Sequence, residues 1–209
     1  ELQAQLLSIS AVPDEQGCVS HYIGVYSDIT DLKNHEAELE RIAHYDALTG
    51  VPNRRLLGDR LNQAILHSLR EHRLLAVCYL DLDGFKPVND TLGHEAGDQV
   101  LIEITQRISR NLRSVDTLAR IGGDEFVLIL AGLEHAAQCE TTIGRLLKII
   151  AQPIGVCGVE RQVSASIGVA FYSSTEKPED LLHRADSAMY EAKQGGGNRV
   201  HFAPQPPAA

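Results

Sequence analysis

Apolar residues recur at helical spacing in four segments of the chain, and runs of apolar and β-branched residues lie between these segments. Helices are predicted around residues 57–69, 100–108, 143–150 and 181–192. Strands are predicted at 74–82, 117–121, 125–131 and 199–202, with a hairpin at 156–172. Because the 74–82 run is apolar almost throughout, it should be buried on both faces of a sheet. This mixture of elements predicts an α+β sandwich, in which helices flank one mostly antiparallel central sheet.

The two ends of the chain have a different pattern from the region between them. Residues 1–30 predict two strands joined by a turn at 11–17, and a hairpin of this size is not stable alone. We therefore expect it to be the end of a domain that begins before residue 1. Residues 46–203 should form the main domain, and the proline-rich 204–209 segment is predicted to be a disordered tail or linker.

Residues 31–45 are polar and favour a helix that links the hairpin to the main domain. Leu32, Leu39 and Ile42 lie on one side of this predicted helix, with charged residues between them. The segment holds about two heptads, which allow pairing with a second copy of the helix but do not require it.

Composition excludes several classes of function. The 209 residues carry 19 Lys and Arg against 28 Asp and Glu, a net charge of -9, and no basic stripe suited to a nucleic-acid polymer is visible. No stretch of 18 apolar residues predicts a membrane span. The polar start resembles no signal peptide. We expect a cytoplasmic fragment of a longer protein, whose membrane anchor, if it has one, lies outside this sequence.

The four cysteines, Cys18, Cys78, Cys139 and Cys157, form no CxxC pair. Cys78 and Cys157 lie in apolar, strand-like runs. We expect reduced and buried thiols, as in most cytosolic proteins.

Two short acidic segments carry the most informative chemistry. Residues 122–126, Gly-Gly-Asp-Glu-Phe, place two glycines and two carboxylates at the tip between two predicted strands. Asp81 ends a buried strand, where a carboxylate is costly unless it is paired or binds a metal. Asp81 and Asp124 could together bind Mg²⁺, which takes one or two protein carboxylates and completes its shell with phosphates and water. The alternatives are a solvated glycine turn at 122–126 and a capping role for Asp81.

The segment that follows Asp81 contains side chains suited to a nucleotide. Lys86 could meet a phosphate as a point charge. The Asn89 amide could meet O6 of guanine, and the Asp98 carboxylate could accept from its N1 and N2 groups. Taken alone, Asn89 and Asp98 are more typical of loop and helix-cap positions.

Together these segments resemble the GGDEF family of bacterial diguanylate cyclases. The resemblance covers about three-quarters of the chain in the order and spacing of the family. It is carried by the segments 46–54, 81–86, 89–98, 122–126 and 164–169. In addition, the 24–33 segment resembles the closing strand and exit helix of a PAS sensor domain, which assigns residues 1–30 to the end of such a domain.

The resemblance to the GGDEF family implies a fold, a reaction and a set of residue roles. The fold would be the palm-like sandwich of nucleotidyl cyclases, and two GTP molecules would be joined into cyclic di-GMP with release of two pyrophosphates. Asp81, Asp124 and the Leu82 carbonyl would bind Mg²⁺, with Mn²⁺ as an alternative. Glu125 would assist in activating the 3′-hydroxyl or hold a second metal. The substrate would contact the following residues: Lys86, Asn89, His94, Asp98, Gly122, Gly123 and Lys193.

The resemblance also implies partners and regulation. The product is symmetric and each domain would hold one GTP, so the active form should be a two-fold homodimer. Arg113 and Asp116 match the RxxD site at which cyclic di-GMP inhibits its own synthesis, and Arg145 is one candidate for a second arginine there. A guanidinium suits the Hoogsteen edge of guanine. Gly197 departs from the family, which often has an arginine at this position; Arg199 could replace it.

Three functions remain open from the sequence. The first is an active cyclase. The second is a module that binds GTP or cyclic di-GMP without turnover and controls an adjacent domain, such as a phosphodiesterase domain after residue 209. The third, a purely structural dimerisation domain, leaves the complete set of acidic residues and glycines unexplained.

Overall fold

The computed structural model describes residues 4–13, 15, 18–174 and 176–205, and the chain divides into two compact units, Glu1–Ala43 and His44–Ala209. The predicted tail at 204–209 falls largely outside the described residues. Within the described residues, no helix is long and apolar enough to span a membrane.

The first unit contains an antiparallel hairpin followed by a helix. Strands β1 (Gln5–Pro13) and β2 (Val19–Asp28) pair with Leu7 opposite Tyr26, and helix α1 (Thr30–His44) follows. Both faces of the hairpin expose large apolar side chains. On α1, Leu32, Leu39 and Ile42 are likewise exposed. The predicted hairpin and helix are therefore confirmed as elements, whereas the assignment to a PAS domain stays a prediction.

The second unit contains the main sheet and five helices among its described residues. Its helices are α2 (Arg54–Glu71), α3 (Phe85–Leu92), α4 (His94–Ser109), α5 (Ala136–Ile150) and α6 (Pro178–Gln194). The strands of its main sheet are β3 (Leu74–Asp83), β4 (Thr117–Gly122), β5 (Glu125–Leu133), β8 (Ser164–Phe171) and β9 (Arg199–Phe202). Two short strands, β6 (Ile154–Val156) and β7 (Val159–Arg161), form a separate hairpin.

The main sheet has the order β4-β5-β3-β8-β9, and only the β8–β9 pair is parallel. Alternate residues of β3 point to opposite faces, so Cys78 and Leu80 pack with α3, α4 and α5, while Leu75 and Val77 pack with α2 and α6. All four of these side chains are buried. The predicted α+β sandwich with a mostly antiparallel sheet flanked by helices is thus confirmed.

Close packing fixes α6 against the sheet. A side chain at Gly168 on β8 would overlap the α6 backbone at Ala185 and Met189, so only glycine allows this approach. Because β9 then returns parallel to β8, the end of α6 and the loop after it lie at the same edge of the sheet as the end of β3.

Three predictions about the elements were incomplete or wrong. The hairpin predicted at 156–172 does not form: β6 pairs with β7, and β8 joins the main sheet between β3 and β9. Cys157 lies in the turn of the small hairpin and is exposed, as is Cys18, whereas Cys78 and Cys139 are buried. Helix α3 was not predicted, because its eight residues are too few for a clear periodicity.

Candidate active site

The register of β3 and β5 brings the predicted acidic residues together. Asp81 is paired with Glu125 across the two strands. The Leu82 N–H donates to the Asp124 carbonyl at 3.3 Å, which holds the turn before β5 beside the end of β3. Gly123, with φ of +50°, allows this turn. Three carboxylates therefore lie at one edge of the sheet, and Asp81 is only 7% exposed.

The electrostatics of this edge favour a cation. Burial and the neighbouring charge of Asp81 raise the pKa of Asp124. The Nζ atom of Lys193, at the end of α6, lies 2.7 Å from Asp81 Oδ1. Burial opposes the charge of this lysine, but its hydrogen bond to Asp81 and the nearby carboxylates outweigh burial and raise the Lys193 pKa. One lysine thus offsets part of the charge of a cluster that is still net negative.

Asp83 has a structural role that the sequence did not reveal. Its two carboxylate oxygens accept hydrogen bonds from the Ser164 hydroxyl (2.9 Å), the Ser166 hydroxyl (2.7 Å) and the Asn198 N–H (2.8 Å). These bonds join β3 to β8 and to the loop after α6. Gly197 lies against the same carboxylate with φ of +72°, so the position where the family often has an arginine is a tight turn here. Arg199 lies over this turn, and its Nε donates to the Gly197 carbonyl at 3.2 Å.

A second anchor of the site was also missed. The Arg120 guanidinium donates to the Gly123 carbonyl at 2.8 and 2.9 Å and to the Asp46 carboxylate at 3.0 Å. Burial opposes the charge of Asp46, but hydrogen bonds from Thr49 and Arg120 lower its pKa. The acidic turn is therefore tied to the loop that follows α1. A sequence signal existed for one partner, since Asp46 opens the 46–54 motif.

The residues predicted to contact the base lie on α3 and α4. The Asn89 amide packs against Gly97, where any side chain would overlap it. Its Oδ1 is buried and has no hydrogen-bond partner in the described structure. Asp98 follows Gly97 directly and is exposed, as are His94 and Lys86. Asn89 and Asp98 are therefore close in the fold, and an orphaned buried amide oxygen is costly unless a ligand satisfies it.

Comparison with known proteins assigns this geometry to a family. The family model described as "Diguanylate cyclase, GGDEF domain" matches residues 43–199. The chain belongs to the GGDEF family.

The GGDEF domain has similar relatives of more than one named activity. It is 47% identical over 174 residues to the bifunctional diguanylate cyclase/cyclic di-GMP phosphodiesterase MucR of Pseudomonas aeruginosa, covering 83% of this chain and 25% of MucR. It is 37% identical over 175 residues to the cyclic di-GMP phosphodiesterase NbdA of the same organism, covering 83% of this chain and 22% of NbdA. The chain thus spans about a quarter of the length of these two relatives.

A solved structure shares the fold of the GGDEF domain. It contains the coiled coil and GGDEF domain of DgcB from Caulobacter crescentus in complex with c-di-GMP, at 30% sequence identity and a TM-score of 0.77. The match covers 84% of this chain and 93% of that chain.

The donor set of this GGDEF domain suits the divalent metal that diguanylate cyclases of the family generally use. Among the described residues, no three acidic, His or Cys side chains are arranged to hold a metal. Asp81 and Asp124 supply the two carboxylates that Mg²⁺ typically takes, with phosphate and water oxygens to complete its shell. Two carboxylates are therefore enough for these residues to fit a divalent metal such as Mg²⁺.

The predicted inhibitory residues line a cavity of about 500 Å³ between the end of α4 and the start of α5. Arg113, Asp116 and Arg145 all line it. Asp116 accepts hydrogen bonds from the N–H groups of Arg113 (2.9 Å) and Ala131 (3.4 Å), so this carboxylate orders the loop. The Arg113 side chain is exposed, and Arg145 donates to the Asn111 carbonyl at 2.7 Å.

Proposed function

We propose that this chain is an active diguanylate cyclase that condenses two GTP molecules into cyclic di-GMP and releases two pyrophosphates. One observation carries the proposal: buried Asp81 and partly buried Asp124 lie together beside an intact Gly122-Gly123 turn, with Glu125 opposite Asp81. A domain that had lost turnover would have no need to keep this costly set of charges together.

In this proposal, Asp81, Asp124 and the Leu82 carbonyl hold Mg²⁺ or Mn²⁺. When bound, the metal stabilises charge on the attacking and leaving oxygens. Lys193 already contacts Asp81 at 2.7 Å, and with Lys86 it supplies positive charge for the triphosphate. The carboxylate of Glu125 assists the 3′-hydroxyl or holds a second metal.

Base recognition is assigned to α3 and α4. Asn89 and Asp98 present an amide and a carboxylate to the guanine edge, and His94 lies beside the substrate. The unpartnered Oδ1 of Asn89 supports this assignment, because a ligand would offset the cost of its burial.

The active form is proposed to be a two-fold homodimer. Each 3′-hydroxyl must attack the α-phosphate of the other GTP, so two domains must face each other. The exposed Leu32, Leu39 and Ile42 of α1 form an apolar stripe that a second copy of the helix could cover. A PAS domain formed in part by residues 1–30 would then regulate the enzyme by changing how the two halves meet.

Product inhibition is assigned to Arg113 and Asp116. The support is the shared cavity, in which the exposed guanidinium of Arg113 can meet a guanine while Asp116 holds the loop. Arg145 lines the same cavity and is the proposed second arginine.

The deciding experiment is product analysis after incubation of the chain with GTP and Mg²⁺ at several protein concentrations. We expect cyclic di-GMP, formed at a rate steeper than first order in protein because the site is shared between two chains. If no product forms after bound nucleotide is stripped and dimerisation is enforced, the proposal is wrong.

The second candidate is a module that binds GTP or cyclic di-GMP without turnover and controls an adjacent domain. Two observations favour it: the similar protein NbdA is named a phosphodiesterase, and Gly197 occupies the position of a frequent family arginine. Tight binding of either nucleotide without product would support this candidate.

A further inference from the structure

The carboxylate of Glu125 is held by a tyrosine from the neighbouring strand. The Tyr79 hydroxyl donates to Glu125 Oε2 at 3.1 Å. Tyr79 precedes Asp81 by two residues on β3, so the two side chains share a face of the sheet. Since Glu125 is paired with Asp81, Tyr79 reaches it along the diagonal between the two strands.

This is the one hydrogen bond that the Glu125 carboxylate makes within the described part of the chain. Two carboxylates further along β3 have different partners: Lys193 binds Asp81, and Ser164 and Ser166 bind Asp83. One oxygen of Glu125 is therefore fixed by Tyr79, and the other is left for a ligand.

The packing around Tyr79 suits it to be a rigid hydrogen-bond donor to Glu125. Its ring packs against the apolar cluster between the sheet and helices α2 and α6. A tyrosine hydroxyl carries its proton at neutral pH, so it donates to the ionised Glu125 carboxylate.

We propose that Tyr79 is a positioning residue for Glu125: its hydroxyl holds one carboxylate oxygen, so that the other is presented to the reacting nucleotide. This inference rests on the proposed cyclase function and deepens it. A phenylalanine at position 79 would keep the ring and its packing but release the carboxylate, which would then sample several rotamers.

The kinetic test compares Tyr79→Phe with the wild-type chain in GTP turnover with Mg²⁺. We expect kcat to fall about three- to tenfold, with KM for GTP unchanged within about twofold, because a misplaced Glu125 affects the reaction more than binding. The matched control is Tyr190→Phe, which removes the hydroxyl of a tyrosine that is 59% exposed on α6. An unchanged kcat in Tyr79→Phe would overturn the proposal.

A second test needs no turnover. Urea unfolding without metal is measured for wild type, Tyr79→Phe, Glu125→Ala and the double variant. We expect Tyr79→Phe to lower the urea midpoint of the wild type but not that of Glu125→Ala, since the acceptor is already gone. Equal shifts in both backgrounds would show that Tyr79 does not hold Glu125. If the chain makes no product, the proposed cyclase function is contradicted. The double-variant cycle still tests whether Tyr79 holds Glu125, because it does not depend on turnover.

Discussion

The acidic edge of the sheet and the cavity beside Arg113 lie at opposite ends of the same strand, β4. Asp116 directly precedes β4, and Gly122 ends it. At the acidic edge, carboxylates crowd around one lysine, so the site favours a cation. In the cavity, Asp116 accepts hydrogen bonds from backbone N–H groups, and the exposed Arg113 guanidinium is left to meet an anion.

The two regions use their aspartates differently: at the acidic edge they favour a cation, and in the cavity Asp116 orders the loop. Six residues of strand span about 20 Å, so a ligand in the cavity does not touch the acidic edge. The inhibition proposed for the cavity would therefore act by changing how domains meet or move, and a variant of one region should leave the other intact.

The largest expected effect is at the acidic edge. Asp124→Asn should reduce turnover by a factor on the order of 10³ or more, because it removes one of the two carboxylates proposed to bind the metal. Cyclic di-GMP formation is measured with Asp59→Asn, an exposed isosteric change on α2, as the control. Turnover retained by Asp124→Asn would remove this residue from the metal site.

The next effect tests the cavity. Arg113→Ala should weaken the binding of cyclic di-GMP by about 5- to 150-fold, since a bidentate contact to a base is worth about 1–3 kcal/mol. The initial rate without product should stay the same. Calorimetric titration with cyclic di-GMP measures this, and Arg161→Ala on the β6–β7 hairpin is the control. If product inhibits the Arg113 variant as strongly as the wild type, the inhibitory site is elsewhere.

Asp81 is proposed to bind the metal, whereas Asp83, two residues later, has a structural role. Asp83→Ala would leave two serine hydroxyls and one N–H without an acceptor, so the free energy of unfolding should fall by about 2–4 kcal/mol. Asp83→Asn keeps one of the two acceptor oxygens and should cost less. Urea unfolding compares the two, and equal losses would mean that the hydrogen bonds contribute little.

The smallest expected effect is the pH dependence of folding stability, measured without metal. Because the pKa of Asp124 is raised in the folded chain, the folded state binds this proton more tightly than the unfolded state. The resulting stability is present below the ordinary pKa of 3.8 and is lost as pH rises through the raised pKa. In EDTA, Asp124→Asn should therefore be more stable than wild type at pH 7, with a difference that shrinks towards pH 4. A pH-independent difference in melting temperature would contradict this.

The fold and the site could be predicted from the sequence wherever the pattern within one continuous segment determines the structure. The apolar 74–82 run predicted the central strand, and acidic residues at the ends of two strands predicted their meeting at one edge of the sheet. The main domain's fold class followed from the same patterns.

The remaining features depend on pairings that a local pattern does not encode. Tyr79 meets Glu125 across 46 residues, Asp83 meets Ser166 across 83, and Asp46 meets Arg120 across 74. For the same reason, the pattern at 156–172 predicted strands but not their partners, and the hairpin predicted there was wrong.

The parallel return of β9 also has a consequence for biosynthesis. Lys193 reaches Asp81 across 112 residues, and the Asn198 N–H reaches Asp83 across 115. Contacts of such long separation form late and slow folding. A nascent chain that has not yet passed residue 198 holds its acidic strand without these partners. The proposed activity should therefore begin only when translation of this domain is almost complete, so that an unfinished polypeptide makes no second messenger.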